Sequence, residues 1–347
     1  MKISLLIPEM NVGGVEQGTF DLAKEFVKRG HTVFVLSSGG KMLPPLEKYG
    51  VKTEYFPFNK KNLFSFISCL RKLKKHIKRE KIDIIHARSR FPAWVAYFTS
   101  KKHNKSHFVT SIHGFYKKYF YSRVMVKGER IITVSEALKE YAINFLKGNE
   151  AKIRIIYNGI DFEPFKEIQK QSHPEFIVGA VGRLTKIKGY QYILYACKDL
   201  KKKIPNLKIL LVGEGNYKPI LVEIAKKNQI DVEFKSGRSF EFLPIIDLLI
   251  APHENPEFSD GKDTMWIGRA AVEAQFFGIP IITTMGNLKR GDILRGKMGI
   301  YVPPKDVEAL SKAIFYVYQN YSDLKDIIER AKIFVKENFS VDKMVEM

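Results

Sequence analysis

Arg183 and Lys188 share one short loop, Gly182-Arg183-Leu184-Thr185-Lys186-Ile187-Lys188-Gly189. An arginine fork and a lysine point charge placed together are suited to gripping a diphosphate. The same loop also reads as a solvated basic surface. Downstream, Gly268-Arg269-Ala270-Ala271-Val272-Glu273-Ala274-Gln275 opens a helix. Its first N–H groups offer a second anion cradle. Glu273, about one and a half turns in, is placed to accept hydrogen bonds from a ribose diol, or it is a surface glutamate without a role. His113, in Ser111-Ile112-His113-Gly114, follows a buried type of strand and so falls at the carboxyl end of a sheet. A lone histidine there is either structural or a ligand to substrate. Near the start, Gly13-Gly14-Val15-Glu16 precedes a helix. Two glycines allow close approach of an anion to the backbone, and a plain tight turn explains them equally well. The spacing is not G-x-G-x-x-G, so a dinucleotide fingerprint is not supported.

The elements that must position these residues alternate. Ile3–Ile7 reads as a strand and 15–28 as a helix, with Phe20, Leu22, Ala23, Phe26 and Val27 on one stripe. Further strands are expected at 31–36, 51–56, 82–86, 108–112, 130–134 and 153–156. An amphipathic helix over 64–79 carries Phe66, Ile67, Leu70, Leu73 and Ile77 on one side and a strongly basic opposite side. Ser135 is a suitable N-cap for a helix over 136–145. Residues 162–175 are polar and contain two prolines, which places a linker there. A second series follows, with strands at 176–181, 208–212, 231–234, 247–250, 280–284 and 299–302 and helices between and after them. Strand–helix alternation predicts a doubly wound parallel sheet, and two series predict two such domains. Ligands of these sheets bind at the carboxyl ends of strands.

The bulk properties agree with a two-domain globular chain. It has 347 residues, 45% hydrophobic and 27% charged, too many for one ordinary core. Cys69 and Cys197 belong to no CxxC or Cys/His cluster. This argues against a disulfide framework or zinc site and fits a reducing cytoplasm. The first strand is too short for a signal peptide, and no run approaches a membrane span. The net charge is +21, and residues 1–165 hold 30 Lys+Arg against 14 Asp+Glu, a balance of +16. Such asymmetry points to an anionic partner, or to a solvated basic surface. No nucleic-acid motif accompanies the charge, so nucleic acid is not expected.

In order along the chain, Gly13-Gly14-Val15-Glu16, His113-Gly114, Val134-Ser135 and Tyr157-Asn158-Gly159-Ile160-Asp161 form a series. It continues through Gly182-Arg183-Leu184 with Lys188-Gly189, Leu211-Val212-Gly213-Glu214-Gly215, the 268–275 segment, and Val302-Pro303-Pro304 with Asp306 and Glu308-Ala309-Leu310. This series, which spans essentially the whole chain, resembles glycosyltransferase family four. The resemblance implies an α/β GT-B fold, two Rossmann-like domains facing across a cleft, and a retaining, metal-independent transfer from a nucleoside-diphosphate sugar. By position, Arg183 and Lys188 would hold the diphosphate, Glu273 the ribose, and the backbone around Ile267, Gly268 and Arg269 the phosphates or sugar. His113 would contact the donor sugar near the reacting carbon, and Gly13-Gly14 would close over the donor. Within the family, Ile84-Ile85-His86-Ala87-Arg88-Ser89-Arg90 with Pro92-Ala93-Trp94 resembles bacterial lipopolysaccharide and surface-polysaccharide enzymes.

The sequence departs from the family pattern at two places. Met265 stands eight residues before Glu273, where a glutamate is usual. Either the motif is lost, or 258–264 is an inserted loop and Glu257 supplies the carboxylate; the insertion is favoured because Pro256-Glu257 resembles the usual approach. Residues 285–290 replace a more glycine-rich turn. The expected organisation is an acceptor domain over 1–165, a donor domain over 166–335, and a C-terminal helix over 336–347 packing back toward the first. The expected partners are a UDP-, GDP- or ADP-sugar, an anionic glycolipid or glycan acceptor, and the acidic inner face of the cell membrane, met peripherally. No cofactor or metal is expected. The competing readings are an inactive nucleotide-sugar-binding or scaffold protein, motivated by Met265, and a GT-B epimerase acting on the nucleotide sugar itself.

Overall fold

The computed structural model describes residues 1–11, 13–100, 106–254, 268–284, 294–296 and 298–347. The chain divides into two compact units, 1–160 with 341–347, and 161–340. The division falls after Ile160, and residues 336–340 remain with the second unit.

In the first unit the elements are β1 (Lys2–Leu6), α1 (Gly14–Lys28), β2 (Thr32–Ser37), α2 (Leu43–Glu47), β3 (Lys52–Tyr55), α3 (Leu63–Glu80), β4 (Ile84–Ala87), α4 (Arg90–Ser100), β5 (His107–Ile112), α5 (Tyr119–Ser122), β6 (Arg130–Thr133), α6 (Glu136–Asn144) and β7 (Ile153–Ile155). The strands form one sheet in the order β3-β2-β1-β4-β5-β6-β7, parallel throughout. The order reverses between β1 and β4. In doubly wound sheets that reversal opens a crevice at the carboxyl ends of the two strands, where ligands bind.

Both faces of this sheet are covered, which is why its strands read as near-continuous apolar runs. One face packs Ile3, Leu5, Ile7, Val33 and Val35 against Leu22 and Ala23 of α1. The other packs Leu6, Leu36, Ile85 and Ile112 against Cys69, Leu73 and Ile77 of α3 and the buried side of α4. Helix α3 starts where the Asn62 side chain accepts from Ser65 N at 2.8 Å and stops at Lys81, whose φ is +55°. Its one buried polar ring, His76, is satisfied by Ser4 Oγ at 3.0 Å and Glu54 at 2.8 Å.

The second unit runs α7 (Glu163–Lys166), β8 (Phe176–Val181), α8 (Tyr190–Cys197), β9 (Leu207–Val212), α9 (Lys218–Lys227), β10 (Val232–Lys235), α10 (Ser239–Phe242), β11 (Leu248–Ala251), α11 (Arg269–Phe276), β12 (Ile281–Thr284), β13 (Leu294–Arg295), β14 (Ile300–Val302), α12 (Val307–Gln319) and α13 (Lys325–Asn338). Its sheet order is β10-β9-β8-β11-β12-β14-β13, with the reversal between β8 and β11. The expectation of a wholly parallel sheet needs one correction: β13 pairs antiparallel with β14. A two-residue edge strand directly followed by its partner has no crossover helix, so it can only run back alongside it. Helix α14 (Val341–Glu346) belongs to the first unit. There Arg29 meets Asp342 at 3.4 Å, and Gly159 N lies 3.1 Å from Met344 Sδ. Both cysteines are free and buried.

Candidate functional site

In the second unit, the loops leaving β8, β9 and β11 are locked together by glycine. Gly189 has φ +71°, and a Cβ there would lie 1.8 Å from Pro252 O. A Cβ at Gly213 would lie 2.0 Å from Gly182 O, and one at Gly215 would lie 2.2 Å from Leu184 O. Only hydrogen fits where backbone meets backbone this closely. The loop after β11 is further fixed by Glu254, whose N–H donates to Ile187 O at 3.0 Å. The Glu254 carboxylate accepts from Gln191 Nε2 at 2.8 Å and from Tyr192 OH at 3.0 Å. Thr284 Oγ1 donates to His253 O at 2.9 Å.

This frame presents Lys188 and Arg183 at the reversal between β8 and β11. Lys188 is half-buried and Arg183 exposed. Burial first, then the Arg183 charge, lowers the Lys188 ammonium to about 8. Two like charges held close in a partly dry loop are costly without an anion to share. His253 joins them: burial and then Lys188 lower its ring to about 3, so it is neutral near pH 7. The sequence reading did not select His253, although the signal was present. It lies two residues past the end of a buried strand, as His113 lies one past β5.

Glu273 lies on α11, 4% exposed. Arg269 Nε donates to its Oε1 at 2.7 Å, and the Ser239 hydroxyl donates to Oε2. The helix begins at Gly268, which has φ +81°, no side-chain cap and open space around it. Glu257, Met265, Ile267 and the 285–290 turn lie outside the described residues.

In the first unit, the predicted His113 meets residues that the sequence reading did not assign, and Gly13-Gly14 opens α1. Gly13 is extended, at φ −178°, and caps α1 without a side-chain bond; a Cβ on Gly14 would touch nothing within 4 Å. The register places His86 beside Leu5 and Val109. Side chains two apart share a face of a strand, so His86, Arg88, Ser111 and His113 project on the side covered by α1. The apolar face of the sheet thus turns polar at its carboxyl end. His113 Nε2 pairs with Ser111 Oγ at 2.7 Å, while its Nδ1, His86 Nε2 and Arg88 Nε and Nη2 are buried without a hydrogen-bond partner. Burial, then Arg88, holds the His113 ring well below the usual imidazole range. His86 is lowered for the same two reasons. Among the described residues, no group of three or more His, Cys, Asp or Glu could hold a metal ion.

The chain matches Glycosyltransferase Family 4 over residues 12–164 and Glycosyl transferases group 1 over 161–334. It is 24% identical over 349 residues to the Staphylococcus aureus capsular polysaccharide biosynthesis glycosyltransferase CapM, covering 90% of this chain and 87% of that one. It is 25% identical over 325 residues to one of the chains of human phosphatidylinositol N-acetylglucosaminyltransferase, covering 88% of this chain and 66% of the human one. A Rickettsia africae glycosyltransferase structure superposes with a TM-score of 0.83 at 26% identity, over 99% of this chain and 96% of that one. The Anabaena HepE structure in complex with UDP and glucose shares the fold at 19% identity, with a TM-score of 0.79 over 100% and 97% of the two chains. Two Rossmann-like units, a basic loop at the second sheet's reversal and matches along nearly the whole length agree, and the chain belongs to the family-four type of glycosyltransferases with the GT-B fold.

Proposed function

We propose that this glycosyltransferase moves a sugar from a nucleoside-diphosphate sugar to a glycan or glycolipid acceptor, with retention of configuration and without a metal, in lipopolysaccharide or surface-polysaccharide synthesis. The bond from the anomeric carbon to the diphosphate oxygen breaks, and its electron pair leaves with the diphosphate. The acceptor hydroxyl oxygen forms the new bond on the same face, and its proton passes to the departing diphosphate. What the protein must supply is stabilisation of the leaving charge. The observation that carries this reading is Lys188, held half-buried beside Arg183 with its ammonium lowered to about 8. The N-terminus of α11, whose cap residue Gly268 offers no side-chain bond, adds the aligned N–H groups of its first turn. HepE in complex with UDP, with UDP-glucose and with UDP and glucose makes a UDP-sugar the first donor to try.

His113 is read as the contact to the donor sugar, and Gly13-Gly14 as backbone that closes over it. Glu273 is read as the ribose ligand. Both its carboxylate oxygens already accept hydrogen bonds, so ribose binding there requires room beside Arg269 or exchange of Ser239. The acceptor side is read as the first unit, peripherally docked on an acidic membrane. Support comes from α3, whose exposed face combines Leu63, Phe64 and Ile67 with Arg71, Lys75 and Lys78. No described helix is long and apolar enough to cross a membrane.

Calorimetry with UDP, GDP and ADP on the purified protein tests the donor reading. Arg183→Ala and Lys188→Ala are each expected to weaken the preferred nucleotide at least about tenfold, as loss of a charge-assisted phosphate contact does. Binding unchanged in both variants would sink the assignment. Sugar release only when a glycan or glycolipid acceptor is added separates transfer from epimerisation and from an inactive scaffold.

A further inference from the structure

Arg88 is 4% exposed, at the carboxyl end of β4. Its backbone N–H donates to Leu6 O at 2.9 Å, which fixes it against the end of β1 at the first sheet's reversal. Its guanidinium Nε and Nη2 nevertheless have no hydrogen-bond partner. Glu16 on α1 supplies opposing charge, yet forms no ion pair with it within 4 Å. Native interiors rarely leave a buried guanidinium in this state, because an unpaired buried charge loses its hydration without replacement. Arg90, two residues on, shows the ordinary alternative: its guanidinium lies 4.5 Å from the Tyr116 ring centre and 5.3 Å from that of Tyr121.

Other unsatisfied polar groups lie near Arg88. Gly18 lies within α1 beside Arg88: a Cβ there would sit at ordinary contact distance, 3.6 Å, from Arg88 Nη2 and from Asn158 Oδ1. His86 Nε2 and His113 Nδ1 are also buried and unpartnered. A neutral His113 ring that accepts from Ser111 Oγ carries its proton on Nδ1, ready to donate. One fixed fork and two neutral rings thus gather unsatisfied polar atoms around the carboxyl ends of β1, β4 and β5, beside α1.

The geometry points to Arg88 as the binding residue for an oxyanion, phosphate or carboxylate, carried by the acceptor. This assignment rests on the transferase reading for the identity of the occupant, and on the orphaned guanidinium alone for the anion site. A planar fork takes either oxyanion bidentately, which a lysine cannot do. The neutral imidazoles beside it add no charge, so one anionic group balances the guanidinium.

The test uses the full chain in phosphate-free buffer. Arg183 and Lys188 also attract phosphate, so the titrations are made in the Arg183→Ala/Lys188→Ala double variant. Glycerol 1-phosphate and glucuronate are the probes, with glucose as the neutral control, read by thermal unfolding and calorimetry. At least one anionic probe is expected to raise Tm and bind, glucose to do neither, and adding Arg88→Met to abolish the response. An unchanged response after Arg88→Met overturns the proposal. Should Arg88→Met not fold, Arg88→Lys keeps the charge and loses the fork. It is expected to weaken the responsive probe at least fivefold, and undiminished affinity overturns the proposal equally. On the wild-type background, Arg88→Met, or Arg88→Lys in its place, is expected to leave UDP affinity within twofold. A tenfold loss would show that the oxyanion belongs to the nucleotide and would overturn the acceptor assignment. Failure of the donor reading is visible separately, as UDP binding that ignores Arg183→Ala and Lys188→Ala.

Discussion

Burial and Arg183 bring the Lys188 ammonium to about 8, below the value near 10.4 of an unfolded lysine. The unfolded chain therefore binds more protons between those values, and stability rises with pH across that window. Below about pH 8 the lysine is charged in both states and the full burial penalty is present. Lys188→Met is expected to be more stable than wild type at pH 7. The gap should narrow between pH 8 and about 10.4, as measured by urea unfolding at several pH values. A diphosphate favours the charged amine, so its affinity should fall as pH rises through 8. Calorimetry at pH 8.5 in buffers of different ionisation enthalpy should detect proton uptake on UDP binding by wild type and less by Lys188→Met. His253, lowered to about 3, is neutral throughout this range and contributes nothing to that proton count.

The site's precision comes from its elements. The three loops of the second unit touch through backbone at Gly182, Gly189, Gly213 and Gly215, so a side chain at Gly189 must push Pro252 away. Gly189→Ala combines a left-handed φ of +71° with a 1.8 Å overlap. A cost of about 2 kcal/mol or more is expected from strain and overpacking together, read from chemical denaturation. UDP affinity should fall even where the protein remains folded, because Lys188 immediately precedes the displaced glycine. Helix ends contribute less. Ser135 accepts from Leu138 N at 3.2 Å, and Ser135→Ala should cost about 1 kcal/mol without changing nucleotide binding. The amphipathic period made α3 legible in sequence to within a residue at each end, because periodicity is local; Ile67, expected on the apolar side, is instead exposed, near the edge of the buried stripe. Short helices such as α5 and α10 were not legible, since four residues carry too little pattern to read.

At the scale of the molecule, charge is unevenly shared. Most of the basic excess lies before residue 166, and α3 turns part of it outward beside Leu63, 69% exposed, and Phe64, 86% exposed. Exposed aromatic and basic groups together suit an anionic membrane surface, where each cation near the surface contributes on the order of 1 kcal/mol. Flotation with vesicles containing anionic lipid should carry the protein, with neutral vesicles failing to do so. Binding should drop severalfold in about 0.5 M salt, where charge screening shortens to a few ångströms, and in the Arg71→Glu/Lys75→Glu variant. Equal binding to neutral and anionic vesicles would remove the electrostatic argument.

The order of residues alone sets out the two series of strands and helices, because apolar periodicity is a property of neighbours along the chain. It also placed Arg183, Lys188, His113 and Gly268 after strands or at a helix start, and Glu273 within a helix, since those positions follow from the same periodicity. The tertiary structure decided which of these positions meet. It set His253 against Lys188 and paired Glu273 with Arg269 and Ser239. It also left Arg88 buried with its fork unpartnered between β1, β4 and α1. Such facts depend on strand order and register, which bring together residues as distant as Gly18, Arg88, His113 and Asn158. No local pattern encodes that encounter, because a buried charge without a partner is defined by what fails to reach it in three dimensions.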